Sequence, residues 1–267
     1  MVPTFAKLAY AGGSNTLTVI TARSILSVAL IWLVMISLRQ PMHIDRKPML
    51  ISLSAGIFYA IMAYGSLGSL AYIPVNTAIL ILFIHPILVG LVTAYLGEEA
   101  ISLKVLVALV VAFAGLGLAI GFSLENLNLS GIALAALSAI AIVFVIVGNT
   151  RAMKQASGIV VVFYMMGSAA VTQCILFLIF GTYTPPVTAL GWIGFGGVAI
   201  ASTAANLAFF GAVPILGAVR ATMITNIEPL LAIVFAVLIL GERISMLQGV
   251  GIAMVLTAIA AVEFSHR

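Results

Sequence analysis

Two titratable side chains stand immediately before prolines in otherwise apolar stretches. Glu228 precedes Pro229 in NIEPLLAIVF, and His85 precedes Pro86 in IHPILVGLV. A proline inside a helix cannot donate a backbone hydrogen bond, so it frees the carbonyl four residues earlier and kinks the helix. Freed carbonyl oxygens beside a carboxylate or an imidazole are groups suited to binding a cation or a proton.

Each of these side chains also has a structural interpretation. Away from water the charged form of a carboxylate is disfavoured, so Glu228 could hold a proton and release it when water or a cationic group arrives. Alternatively, Glu228 is a structural acid that is satisfied by Thr225, Asn226 or Arg220. For His85, packing beside the proline kink competes with a role in binding.

Arg23 is a third charged side chain in an apolar stretch, VITARSILSVALIWLVM. It could attract an anionic group, extend to lipid headgroups or bond backbone carbonyls. Several polar residues could line a path or hold helices together by hydrogen bonds. The remaining candidate site residues of this kind are Asn76, Asn206 and Asn226. Tyr64 is a candidate as an aromatic residue that could stack on a ligand or anchor a span at the membrane interface.

The composition places these residues in a membrane. Of the 267 residues, 64% are hydrophobic and 7% are charged, and the mean hydropathy is +1.31, whereas soluble domains carry roughly a quarter charged residues. The net charge of +4 comes from basic residues that lie mostly between the apolar stretches. This charge therefore indicates membrane topology and not nucleic-acid binding. With a single cysteine, Cys174, the chain cannot form an internal disulfide.

Nine apolar stretches are long enough to cross a bilayer, since about 20 helical residues span its hydrocarbon core. They are predicted at 16–38, 48–72, 74–96, 103–123, 129–149, 158–181, 187–211, 215–240 and 246–264. Only helices and closed barrels satisfy backbone groups in lipid, and barrel strands are only about 10 residues long. The sequence therefore predicts an all-α integral membrane protein. Gly117 and Gly121, a small-xxx-small pair, are predicted to let two helices pack closely.

The stretch around Glu228 also matches the stretch around His85. The matching pairs are Ile84/Ile227, Pro86/Pro229, Gly97/Gly241, Glu98/Glu242, Ile101/Ile244 and Ser102/Ser245. The match recurs with a period of roughly 143 residues, which indicates an internal duplication. We therefore divide the chain into two repeats, 1–124 and 125–267. Charged residues that follow these stretches are predicted to cap span ends in water: Glu98, Glu99, Glu242 and Arg243.

A complete repeat would contain five helices, and an odd number inverts the second repeat relative to the first. The basic residues between spans fall mainly on one side of the membrane, as the positive-inside rule expects. The counterpart of the helix at 129–149 falls mostly before residue 1, so we expect ten helices of which the first is largely missing. A natural nine-helix form with an irregular N-terminal segment is the alternative. In an inverted pair, His85 and Glu228 could approach one shared cavity.

The doubled pattern of proline, apolar stretch and Gly-Glu ending, together with the early arginine, resembles the EamA domain pair of the drug/metabolite transporter superfamily. The resemblance covers almost the whole chain. It implies an inner-membrane permease with two five-helix repeats, and members of the superfamily move amino acids, sugars, nucleotide derivatives or drugs. This chain departs from the pattern because it lacks most of the first helix.

We expect a permease that moves a small neutral, zwitterionic or weakly cationic metabolite, such as an amino acid or an amine, by alternating access. Phosphate esters need several Arg or Lys side chains, and Arg23 is the one basic residue well inside a span. The direction is open, with proton-coupled efflux as one option. The alternative is a receptor or scaffold of the same fold that transports nothing.

An enzyme is not expected, because the sequence contains no HExxH, GxSxG or P-loop motif. The expected partners are the lipid bilayer, a small-molecule substrate and protons, with no nucleic acid, cofactor or metal. The expected location is the cell membrane as a multi-pass protein, in a bacterium the inner membrane. The oligomeric state is open.

Overall fold

The computed structural model describes residues 2–121, 128–240 and 245–264. These residues form twelve α-helices and no β-strand. The helices are α1 (Val2–Ala11), α2 (Thr16–Ser37), α3 (Arg46–Ser69), α4 (Val75–Leu82), α5 (His85–Tyr95), α6 (Leu103–Ile120), α7 (Leu129–Met153), α8 (Gly158–Phe180), α9 (Ala189–Leu216), α10 (Ala218–Ile224), α11 (Ile227–Leu240) and α12 (Met246–Phe264).

Small polar residues and glycine set the ends of the apolar helices. Asn15 precedes α2, and its Oδ1 accepts a hydrogen bond from Thr18 N at 2.8 Å. Ser102 precedes α6 in the same way and accepts from Val105 N at 3.3 Å. Gly121 ends α6 with a φ of 66°, a left-handed conformation that glycine adopts without strain.

Seven helical segments in the described residues are long and apolar enough to cross a membrane. Six of them are α2, α3, α6, α7, α8 and α9, and the seventh, Val75–Tyr95, comprises α4 and α5. The seven correspond to the first seven predicted spans. The last two predicted spans correspond to α10 with α11, and to the apolar helix α12. The prediction of an all-α, multi-pass membrane protein is confirmed.

Two compact units divide the chain, and neither is continuous in sequence. Unit 1 comprises residues 1–67 and 144–215, and unit 2 comprises residues 68–143 and 216–267. Each unit therefore contains segments of both predicted repeats. The repeats are a property of the sequence, whereas the compact units are assembled from both of them.

In unit 1, α2 packs antiparallel on α8. Ser24 Oγ donates to Gln173 Oε1 at 2.6 Å, and Thr18 Oγ1, earlier on α2, donates to Thr182 O at 3.3 Å, just beyond the end of α8. The short helix α1 packs on α9 at Gly194, where an added Cβ would lie 2.6 Å from backbone atoms of α1. Glycine at this position lets the two backbones approach closely.

In unit 2, α6 packs antiparallel on α12 with their backbones in close contact. A Cβ added to Gly115 would lie 2.8 Å from Gly251 O, and a Cβ added to Gly251 would lie 2.5 Å from Ala119 N. Apolar clusters on both sides of this contact include Ala108 with Ala258. Since lower-numbered residues of α6 meet higher-numbered residues of α12, the two helices run in opposite directions.

The close packing lies at Gly115 and Gly251, so the prediction of Gly117 and Gly121 as the packing pair is wrong. A Cβ on Gly117 would make only ordinary contact, 3.7 Å from the side chain of Leu80. Gly121 serves as the cap of α6 and has no atom within 4 Å of an added Cβ.

Candidate substrate site

The first proline interrupts its span at the junction of two helices. Helix α4 ends at Leu82 and α5 begins at His85, immediately before Pro86. Pro86 lacks the N–H that would bond Leu82 O, and Nδ1 of His85 lies 3.0 Å from that oxygen. Because a carbonyl can only accept, Nδ1 carries the hydrogen. His85 is 4% exposed and supplies a donor to the carbonyl that Pro86 leaves free.

The second proline interrupts the equivalent span between α10 and α11, at Thr225 and Asn226. Pro229 frees Thr225 O, which accepts instead from the backbone N–H of Glu228 at 2.9 Å. Asn226 is 2% exposed, and its Nδ2 donates to Met223 O at 3.0 Å. Its Oδ1 is buried and has no hydrogen-bond partner among the described residues. Both helices are therefore interrupted at the predicted prolines. The freed carbonyl is bonded by a side chain at the first break and by a backbone N–H at the second.

Glu228 is exposed, so the expectation that this acid is buried is wrong. Helix α11 buries Pro229 and the 4% exposed Leu230, and the preceding position of its first turn faces outward. The structural alternative is not met either. Thr225 Oγ1 and Asn226 Nδ2 donate to carbonyls of α10, and no described residue hydrogen-bonds or ion-pairs with the carboxylate of Glu228.

The breaks pack close together in unit 2, although the two pre-proline side chains do not share an environment. Phe83, between α4 and α5, belongs to the same buried apolar cluster as Leu230 of α11. His85 is buried whereas Glu228 is exposed. The sequence correctly predicts equivalent positions, and the structure gives those positions different surroundings.

The first segments of the two interrupted spans are held by different side chains. Asn76 of α4 is exposed, and its Nδ2 donates to Ile120 O, at the end of α6, at 3.0 Å. At α10, Glu99 Oε1 accepts from Ala218 N at 2.6 Å and Oε2 accepts from Val219 N at 3.3 Å. Glu99 thus caps a helix, but it is partly buried and caps the distant helix α10, whereas the sequence predicts a cap in water. The second Gly-Glu motif (Gly241, Glu242, Arg243) lies outside the described residues.

Arg23 is 8% exposed in unit 1 and is not satisfied there. Its Nε and Nη2 are buried and have no hydrogen-bond partner among the described residues. The guanidinium carbon lies 5.7 Å from the centroid of the Tyr59 ring, a cation–π distance. Of the three expectations for Arg23, extension to headgroups and bonding to carbonyls do not fit a buried guanidinium with unpaired nitrogens.

Asn206 of α9 joins this group through Tyr59. Its Nδ2 donates to the Tyr59 hydroxyl at 3.0 Å and so fixes the ring that faces Arg23. Thr203, one turn earlier on α9, donates from Oγ1 to Ser27 Oγ at 2.7 Å, and Ser27 lies one turn after Arg23 on α2. We call Arg23, Tyr59 and Asn206 the arginine cluster. The sequence contains no signal that selects Tyr59 over the other aromatic residues.

Tyr64 does not join the arginine cluster. It is 47% exposed, and five residues along α3 rotate it by about 140° from Tyr59. An apolar pocket of about 460 Å³ in unit 1 is lined by α2 and α8, and one of about 270 Å³ in unit 2 by α10, α11 and α12. No predicted site residue lines either of these two pockets.

Comparison with known families decides the general identity of the chain. Residues 129–264, more than half of the chain, match the model of the EamA-like transporter family. The chain belongs to the EamA-like transporter family. This confirms the resemblance, and the matched range covers the second predicted repeat almost completely.

A protein of known crystal structure shares the fold of this EamA-like chain. The TM-score is 0.83 with 17% sequence identity, over 100% of this chain and 95% of the other. At that identity the similarity shows the fold alone. No curated protein sequence matches the chain. Family and helices together establish a multi-pass membrane protein of a transporter family.

Proposed function

We propose that the chain is a permease that moves a small neutral, zwitterionic or weakly cationic metabolite, an amino acid or an amine, by alternating access. The substrate crosses the membrane without chemical conversion, so the protein is not an enzyme. The proposed location is the inner membrane of a bacterium, as the EamA resemblance implies.

The observation that carries this proposal is the carboxylate of Glu228, which is exposed inside an interrupted span and has no bonding partner among the described residues. Glu228 lies about 15 Å along the helix from the start of α10 and about 18 Å from the end of α11, near the middle of a core roughly 30 Å thick. A charged side chain facing lipid there costs about 2.5 to 3.5 kcal/mol or more. A side chain exposed at that depth therefore favours a water-filled path, where the carboxylate can bind an amine or a proton.

The packing within each unit supports two inverted repeats. Helices α2 and α8 are the second helices of the two repeats, and they pack antiparallel in unit 1. Helices α6 and α12 are the fifth, and they pack antiparallel in unit 2. Equivalent helices that run in opposite directions are what a two-fold axis in the membrane plane produces, and such pairs are used for alternating access.

The basic residues favour a substrate with little negative charge. Among the described residues, Arg23 is the one basic residue buried well inside a span, whereas the others in span helices lie within the first or last turn, among them Arg46, Lys104, Arg151 and Arg220. A phosphate ester needs more than one cationic partner. We propose proton coupling through Glu228, with export as the direction to test first.

The test is transport by the full chain reconstituted in liposomes with an imposed pH gradient. Labelled amino acids, amines and one sugar phosphate are supplied, with protein-free liposomes as the control. Saturable, gradient-dependent movement of an amino acid or amine is expected. Movement of the sugar phosphate alone contradicts the substrate class, and no movement of any compound contradicts transport.

A further inference from the structure

The guanidinium of Arg23 is a permanent charge that no described residue balances with an anion. Arginine stays protonated in proteins, so this side chain cannot lose its charge on burial as a lysine can. Arg23 is 8% exposed, and its Nε and Nη2 are buried and unpaired among the described residues. Leaving a buried charge unpaired is strongly unfavourable. The site is therefore incomplete without an anion or an equivalent acceptor.

Unit 1 does not contain a carboxylate that could fill this place. Its one acidic residue is Asp45, which is exposed beside the start of α3. Tyr59, which faces Arg23, lies 14 residues further along that helix, about 21 Å away at the rise of an α-helix. Asp45 is too distant to pair with Arg23. Tyr59 offers the guanidinium only the face of its ring.

The two unpaired nitrogens define the shape of the missing partner. Nε–H and Nη2–H lie on one edge of the planar guanidinium and point in parallel, which matches the two oxygens of a carboxylate. Tyr59 accepts from Asn206 and keeps its own O–H proton for another acceptor. A single guanidinium balances one negative charge, so a monocarboxylate fits better than a doubly charged phosphate.

We propose that the arginine cluster is the subsite that binds the carboxylate of the transported molecule, which makes the substrate an amino acid or another monocarboxylate and not a simple amine. This inference rests on the proposed transport function for its physiological meaning. The binding itself does not require transport, so the two can fail separately.

The test is binding to the purified full chain in detergent, followed by thermal unfolding with each ligand. The ligands are aliphatic and aromatic amino acids, each compared with its amide, its decarboxylated amine and its deaminated acid. We expect the acids to bind at least tenfold more tightly than the matched amides and amines. Equal binding of acid and amide by the unchanged protein overturns the proposal without any variant.

Two substitutions sharpen the test. Arg23→Gln is expected to remove the preference for acid over amide, and Arg23→Lys to keep it with about tenfold weaker binding, because lysine retains the charge but not the two-donor edge. Arg46→Gln, at the exposed first position of α3, makes the same charge change as a control and should keep the full preference. If Arg23→Gln does not fold, the ratio of acid binding to amide binding is measured on Arg23→Lys and on Tyr59→Phe. A lower ratio than in the unchanged protein supports the proposal, and an unchanged ratio in both variants overturns it.

The remaining outcomes of these binding measurements also uphold or overturn the proposed subsite. Preference for acids that survives Arg23→Gln places the carboxylate elsewhere and overturns the proposal. Chloride that stabilises the protein as well as the acids do identifies a resident ion and overturns it too. Arg23-dependent binding of deaminated acids, with no compound transported, upholds the subsite and contradicts the proposed function.

Discussion

The two proline breaks of unit 2 occupy equivalent positions in the repeats, yet their pre-proline side chains do opposite things. At the first break, Leu82 O is satisfied by the imidazole of His85, which is buried. At the second, Thr225 O is satisfied by the backbone N–H of Glu228. The side chain of Glu228 is not needed for this bond, and no described residue bonds its carboxylate.

This difference shows how two copies of a duplicated element can differ in role. The pre-proline side chain stabilises the helix break in one copy and remains available for binding in the other. A freed carbonyl inside a membrane needs a donor, and the group that supplies it is committed to the fold. Where the backbone supplies the donor, the adjacent side chain is free to meet water, protons or substrate. His85 is therefore committed to the fold, whereas the carboxylate of Glu228 is available for the role in transport that we propose.

The largest effect is expected from Glu228→Gln. Glutamine is nearly isosteric and cannot ionise, so it should remove the pH dependence of transport and lower the rate by at least tenfold at the optimal pH. Folding and insertion should be unchanged, because the carboxylate bonds none of the residues that the structure describes. Uptake and efflux in liposomes across a series of pH values measure this.

Glu228→Asp is the matched control, since it keeps the charge and should retain a pH-dependent rate. An unchanged rate and pH profile in Glu228→Gln would mean that the acid is not a coupling residue. The two breaks would then differ in their hydrogen bonding but not in a role in proton coupling.

The second effect is on stability, at the other break. His85→Ala removes the donor to Leu82 O and leaves a cavity, which should lower the free energy of unfolding by about 2 to 4 kcal/mol. His85→Asn can place an amide N–H where Nδ1 lies and should recover much of that loss. Thermal unfolding of both variants in detergent measures the difference.

The pH profile of transport separates the roles of the two breaks. In folded His85 variants it should match that of the unchanged protein. A profile altered as in Glu228→Gln would show that His85 also takes part in coupling, and the two breaks would be functionally alike.

Much of this comparison follows from the sequence, and the rest depends on packing. Hydrophobic stretches and prolines predict the spans and both helix breaks, because these are local properties of the chain. The burial of His85 and the exposure of Glu228 depend on which face of each helix meets its neighbours. Neither face can be identified from uniformly apolar helices.

Contacts between residues distant in sequence cannot be predicted from the sequence either. Gly115 and Gly251 let α6 and α12 touch, but nothing in the sequence distinguishes them from Gly117 and Gly121. The sequence places Arg23 in a span but does not identify Tyr59 as its neighbour. The glycine pairing joins helices of different repeats, whereas Arg23 and Tyr59 lie on α2 and α3 of the same repeat, and both pairings depend on how the helices pack.

A smaller effect is expected at the cap of α10, the first segment of the second break. Glu99→Ala removes the acceptor of Ala218 N and Val219 N and should lower stability by about 1 to 2 kcal/mol. Glu99→Gln keeps a neutral acceptor and should lose less. Hydrogen exchange should rise in residues 218–224 and stay unchanged in residues 75–82. An equal rise in hydrogen exchange in residues 218–224 and in residues 75–82 would show that the effect of the capping bonds is not specific to the second break.

The smallest effect is expected at Asn76, which holds the first segment of the other break. Its Nδ2 donates to Ile120 O, and Ile120 is the last residue of α6, where carbonyls have no partner within the helix. Because the side chain is exposed, Asn76→Ala should cost only about 1 kcal/mol and should leave the transport rate within about twofold. Asn76→Gln, which keeps the amide on a longer side chain, provides the control for lost hydrogen bonding. Thermal unfolding and substrate uptake are measured on the same preparations. A fall in transport of tenfold or more at unchanged stability would instead assign Asn76 to the substrate path, as its polar side chain in an apolar span first indicated, and the first break would then contribute to binding as well as to the fold.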